Sequence, residues 1–112
     1  MTRDEAKNQI ETTCGQGWLP LVDKAFDHLP HGVAIVEAFE KYGRLKFRID
    51  RDDEAFETFL DEITERSGMM CEVCGEAGTE QIANRWISTL CERHFVERTA
   101  GADSGGSDGA SW

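Results

Sequence analysis

The apolar residues of this chain change period as they run from one end to the other, and each change marks an element. Over residues 3–13 only Ala6, Ile10 and Thr13 share a helical face, which predicts a thinly apolar helix at the edge of a core. Thr2 or Arg3 can open it, and Asp4 and Glu5 suit its positive end. Gly15 and Gly17 then break the pattern. From Trp18 to Leu29, the residues Leu19, Val22, Ala25, Phe26 and Leu29 recur at helical spacing. They predict a second helix, with Pro20 tolerated in its first turn and Pro30 and Gly32 ending it.

Between Val33 and Asp50 the period becomes two. Leu45, Phe47 and Ile49 alternate with Arg44, Lys46 and Arg48, the pattern of a strand with one buried face. The run Val33–Phe39 supplies its partner in a β-hairpin. Gly43 fits the left-handed position of a three-residue turn with a bulge. That register pairs Glu40 with Arg44 and Phe39 with Leu45, and sets Val33, Ile35 and Phe39 on the core face. A two-residue turn at Tyr42-Gly43 is the alternative, and it shifts the register by one.

Residues 52–66 return to helical spacing, with Phe56, Phe59, Leu60 and Ile63 in one stripe. Asp50, Asp52 or Asp53 can cap this helix, Arg66 suits its negative end and Gly68 stops it. Further on, Ile82, Trp86 and Ile87 predict one or two short strands, and a short final helix is expected from Cys91 to Arg98. Ala100 to Trp112 is rich in Gly, Ser and Asp without any period, which predicts a disordered acidic tail. The expected class is α+β: a small antiparallel β-hairpin or sheet with two or three helices packed on it. Residues 1–68 form that core, 69–99 a metal-binding module packed on it, and 100–112 the tail.

Composition narrows the picture. A chain of 112 residues is one domain's worth, and 39% hydrophobic residues build only a modest core. The net charge of -10 opposes non-specific binding to nucleic acid or to an anionic membrane. Half of that excess sits in residues 51–68, so the helix there is strongly acidic and would suit a basic protein partner. Residues 31–50 are locally basic. No apolar stretch is long enough to span a membrane, and Met1 to Ile10 is charged, unlike a secretory signal.

The most specific chemistry lies in Cys71, Cys74, Cys91 and His94: Cys-x2-Cys, sixteen intervening residues, then Cys-x2-His. This is the spacing of a structural zinc site, because each two-residue gap lets a tight turn present two donors to one tetrahedral metal. One structural Zn2+ per chain is expected, with a zinc-ribbon or treble-clef-like module around it. Two disulfides are the competing reading, and they would require the distant Cys14. Zinc thiolates need reduced cysteine, so a cytoplasmic setting is expected.

Four short motifs add a resemblance. Cys14-Gly15-x-Gly17-Trp18 is one, and Glu40-Lys41-Tyr42-Gly43-x-Leu45-Lys46-Phe47 a second. A third is Ser67 with Cys71-Glu72-x-Cys74-Gly75-x-x-Gly78, and a fourth is Trp86 with Thr89-Leu90-Cys91-x-x-His94. In this order, over about residues 14–95, they resemble small hypothetical proteins of bacteria and their phages. There the middle motif reads Glu-Lys-Phe-Gly-Gly-Leu-Arg-Phe. The resemblance implies a fold with a zinc module and little more; a phage–host or defence setting is one context for the expected protein-binding role. Phe39 departs from it, standing where those proteins often carry lysine, as does His94, where cysteine is common.

Lys41, Arg44, Lys46 and Arg48, with Trp86, are a candidate interaction surface; Tyr42 and Trp86 could stack on bases, and Arg85, Arg93 and Arg98 could extend the basic stripe. The bland alternative is a solvated strand face, partly neutralised by Glu37 and Glu40. Cys14 is expected to be a small buried apolar residue, and His28 and His31 to cap a helix end or lie exposed. There is no Ser-His-Asp order, phosphate loop or His-Glu-x-x-His helix, so no catalytic residues are assigned and an enzyme is not expected. The function expected is a small acidic zinc-binding, non-enzymatic module that binds another protein. The alternative is a nucleic-acid-binding zinc module using the basic hairpin face.

Overall fold

The computed structural model describes residues 1–83 and 85–106. The element order is α1 (Arg3–Thr13), α2 (Leu19–Asp27), β1 (Ile35–Lys41), β2 (Arg44–Ile49), α3 (Glu54–Ser67), β3 (Thr79–Ala83), β4 (Trp86–Leu90) and α4 (Glu92–Gly106). The class is α+β, with two separate antiparallel two-stranded sheets, β1–β2 and β3–β4. No described helix is long and apolar enough to cross a membrane.

The helices begin where local chemistry starts them. Thr2 caps α1 in a capping box: its hydroxyl accepts from the Glu5 amide, while the Glu5 carboxylate accepts from the Thr2 amide. Asp53 caps α3 by accepting from the Phe56 amide, and Pro20 sits in the first turn of α2. α1 lies against β1, α3 against β2, and α2 bridges α1 and α3. Their shared core holds Trp18, Leu21, Val22, Ile35, Leu45, Phe56, Leu60 and Ile63. α1 is better anchored than its thin stripe implied, since Ala6 and Ile10 are fully buried.

The first hairpin departs from the expected register. Its turn has two residues, with Lys41 opposite Arg44, Glu40 opposite Leu45, Phe39 opposite Lys46 and Ala38 opposite Phe47. Tyr42 and Gly43 both have positive φ, 54° and 81°, as a type I′ turn requires, and this turn matches the twist of the strands. The Gly43 amide donates to Glu40 Oε2 at 2.7 Å and secures the turn. Gly43 is also pressed against β4, where a Cβ would lie 3.0 Å from Ile87 Cγ2. The irregularity lies instead between Ile35 and Glu37, leaving Val36 unpaired and exposed. That extra residue lets Ile35 and Ala38 both face the core, and Phe39 turns to the opposite face beside Lys46.

α4 runs beyond Arg98 to Gly106. Composition argued for an irregular chain from Ala100, since each glycine in a helix costs about 1 kcal/mol relative to alanine. Extending a helix already nucleated is cheaper than starting one, which favours continuation. The remainder of the expected tail, 107–112 with Trp112, lies outside the described residues.

The C-terminal segment docks on the core through backbone contacts. The Gly17 amide donates to Glu72 O at 2.8 Å, and Trp18 Nε1 donates to Met70 O at 2.9 Å. Gly17 leaves no room for a side chain, because a Cβ there would lie 2.0 Å from Cys71 O. Thr89 Oγ1 donates to Gly43 O at 2.6 Å, tying β4 to the tip of the first hairpin.

Candidate metal centre

Two structural devices bring the four predicted donors together. The first is the turn after Met70. Cys71 N donates to Glu76 O at 2.7 Å, Gly75 N donates to Cys71 O at 2.8 Å, and Gly75 has φ of 83°, which glycine tolerates best. This presents Cys71 and Cys74 from one tight loop. The second is the junction of β4 and α4. The strand ends at Leu90, Cys91 precedes the helix and His94 lies in its first turn, where the Phe95 amide donates back to Cys91 O at 2.9 Å.

One ligand atom from each of Cys71, Cys74, Cys91 and His94 lies within 4.8 Å of all the others. The Sγ atoms of Cys74 and Cys91 are 3.8 Å apart. His94 Nδ1 lies 3.5 Å from Cys71 Sγ and 3.2 Å from Cys91 Sγ. For metal bonds of about 2.3 Å to sulfur and about 2.0 Å to nitrogen, a tetrahedron has edges of roughly 3.8 Å between sulfurs and roughly 3.5 Å from sulfur to nitrogen. The donor set therefore fits a single tetrahedral metal ion. All four cysteines are free thiols, so the disulfide alternative is not realised.

Comparison with family models, curated proteins and solved structures finds no match to this chain.

Burial pushes the Cys71 thiol up, but the amides of Cys91, Cys74 and Val73 aim at its sulfur and bring it down to about 6. The Glu76 amide favours the Cys74 thiolate; burial and the adjacent Cys71 and Cys91 sulfurs outweigh it and hold that thiol above its usual range. Sulfurs this close repel one another once charged, and a divalent cation removes that repulsion. On the far side of the imidazole, His94 Nε2 is 4.0 Å from Glu97 Oε1 and 3.4 Å from the Arg93 guanidinium. Glu97 therefore lies beyond hydrogen-bond reach of the ring.

The predicted basic stripe is present as geometry, and two of its four cations are neutralised by ion pairs. Arg44, Lys46 and Arg48 share one face of β2, with Lys41 opposite Arg44. Arg44 is held by Glu80 at 2.7 Å and by Glu65 at 3.2 Å, and Arg48 by Glu37 at 2.8 Å. Among the described residues, Lys41 and Lys46 have no ion-pair partner. Trp86 shares a cleft with Lys41 of this stripe, Tyr42 and Arg85.

The remaining candidates are structural. Cys14 is buried, and burial first, then Glu72 and Glu40, push its thiol up to about 12, which makes it unreactive. His28 ends α2 with Nδ1 3.0 Å from Lys24 O and its ring stacked on Phe59; His31 is exposed. Sequence reasoning missed Glu72, buried between the two cysteines of the first pair. Its Oε1 has no hydrogen-bond partner, and Oε2 is 3.8 Å from Arg98, which also donates to Ser88 Oγ at 2.9 Å. Burial lifts this carboxyl to about 7. No local signal could have found it, because the two positions inside Cys-x2-Cys are as readily exposed as buried.

Proposed function

We propose that this chain is a small, non-enzymatic protein-interaction module held together by one structural zinc ion. The observation that carries this reading is the convergence of three thiols and one imidazole nitrogen, all within 4.8 Å of one another. Three sulfurs and a nitrogen are a donor set that zinc favours. Four protein donors fill a tetrahedron and leave no position for a water nucleophile, which supports a structural role. When bound, the metal would neutralise the thiolates and cross-link the turn after Met70 to the start of α4. A tight turn, a β-hairpin and a helix that together supply two donor pairs make a treble-clef-like arrangement.

The charge supports a protein partner over a nucleic acid. The net charge of -10 repels a polyanion, and Arg44 and Arg48 are already paired. The exposed acids of α3, Glu57, Asp61 and Glu62, offer a surface to a basic partner. Cobalt(II) substitution tests the reading. A four-coordinate sulfur-rich site gives strong visible absorption and a thiolate charge-transfer band, and all three cysteines are needed for it. Weak absorption typical of five or six ligands would point to bound water and overturn the structural role.

A further inference from the structure

The tips of the two hairpins meet at a cleft of about 400 Å³ lined by Glu40, Lys41, Tyr42, Arg85, Trp86 and Ile87. Its volume falls at the small end of the range for ligand clefts. Large apolar groups stand unburied around it. Tyr42 is 70% exposed and Trp86 62%; Ile82, the cross-strand partner of Ile87, is 71% exposed.

The backbone at both tips is strained. Tyr42 and Arg85, with φ of 54° and 67°, are the non-glycine residues with positive φ among those described, and both line this cleft. Glycine or asparagine would adopt these conformations more cheaply. Strain retained at two adjacent turns, by residues that stabilise neither, points to a role for their side chains. The charge here also differs from the rest of the chain. Lys41 and Arg85 have no ion-pair partner among the described residues, and the Lys41 ammonium lies 5.7 Å from the Tyr42 ring centre. Glu40 accepts from the Gly43 amide and keeps its charge, so the lining sets two cations against one carboxylate. The cleft is therefore apolar at its walls and cationic at its rim, on a protein of net charge -10.

We infer that this cleft docks a partner protein by receiving an apolar side chain flanked by carboxylates. Tyrosine, tryptophan and arginine are the residues that concentrate binding energy at protein interfaces. Lys41 and Arg85 select the acidic flank, and the overall negative charge excludes a long polyanion. This inference rests on the reading of the chain as a metal-held interaction module.

The test is an NMR titration of the full chain, with its metal content measured first. The probe is a short blocked peptide with one leucine flanked by aspartates; a lysine-flanked version and a single-stranded oligothymidylate are the comparisons. The single tyrosine of the chain and the Trp86 indole report on the cleft directly. The acidic peptide should shift both, and the lysine peptide should bind about tenfold more weakly. Trp86→Ala should abolish the shifts. Tyr42→Asn should do so in a protein at least as stable as the parent, which separates docking from folding. Lys41→Glu with Arg85→Glu should reverse the preference between the two peptides. Unshifted Tyr42 and Trp86 on zinc-loaded protein, or equal binding of both peptides, would overturn the inference. So would shifts produced by oligothymidylate instead, which would assign the cleft to nucleic acid. Absence of zinc would register separately, as failure of the module itself, and would remove the scaffold on which the cleft depends.

Discussion

The β1–β2 hairpin rests on a continuous apolar core, with Ile35, Ala38 and Leu45 buried beneath α1 and α3. β3–β4 has no such backing. Among its described side chains the buried ones are Ser88, Thr89 and Leu90, two of them polar, and Ile82 and Trp86 face solvent. Those polar groups are met one by one, Ser88 by Arg98 and Thr89 by Gly43 O. Both hairpins are short antiparallel pairs with a positive-φ residue in the turn, but among the described side chains the first buries more apolar surface. The second is placed where a metal cross-link would supply what the core does not. In a short chain these are two routes to the same end, and they should fail under different conditions.

The largest effect should come from removing the metal. Apparent binding free energies of structural zinc sites are about 10–16 kcal/mol, comparable to the whole stability of an ordinary domain. Chelation, or Cys71→Ser, should erase hydrogen-exchange protection in β3, β4 and the first turn of α4, while β1–β2 keeps measurable protection. Equal loss in both hairpins would show that the two regions are one cooperative unit.

Trp18→Ala comes next, because Trp18 belongs to both regions. It is fully buried, and its indole donates to Met70 O. Loss of packing should cost about 3–5 kcal/mol. The variant should also bind metal more weakly, whereas Leu45→Ala, at about 2–5 kcal/mol, should leave one metal per chain at full occupancy. Denaturant melts paired with metal analysis separate the two outcomes.

The contrast between regions also marks what the sequence made legible. Residues 3–13 and 54–67 fold as helices because caps and apolar spacing agree there, 19–27 on apolar spacing with Pro20 in its first turn, and the four donors were readable from spacing alone. The turn at Tyr42 was misread because Gly43 suits either turn, and nothing local predicts that tyrosine will accept positive φ. The bulge at Val36, which restores Ile35 to the core, follows from that register and could not be seen before it. The contact between Trp18 and Met70 joins residues 52 apart in the chain. Gly17 and Trp18 could be recognised as a motif, but their purpose as the seat of Cys71 and Glu72 depends on tertiary structure.

Cys14 sharpens the comparison chemically, as the one cysteine outside the metal centre. In the fold its thiol is pushed up to about 12, against 9.0 for an ordinary one. A raised value means that its contribution to stability is complete below about pH 9 and is lost as the pH rises toward 12. After chelation at pH 8, a thiol reagent should modify Cys71, Cys74 and Cys91 rapidly and Cys14 only on unfolding. Rapid labelling of all four thiols would mean that the core does not outlast the metal. The smallest effect belongs to the outer strand face, where half-buried Lys46 has no ion-pair partner among the described residues: Lys46→Glu should change stability by no more than about 0.5 kcal/mol and leave metal binding unaltered.

Native mass spectrometry with elemental analysis, before and after chelation, decides whether a metal holds the second hairpin. One zinc per chain is expected, lost to the chelator together with cooperative unfolding of the C-terminal region. A fully folded chain without metal, with Cys71, Cys74 and Cys91 reacting equally fast with and without chelator, would contradict it.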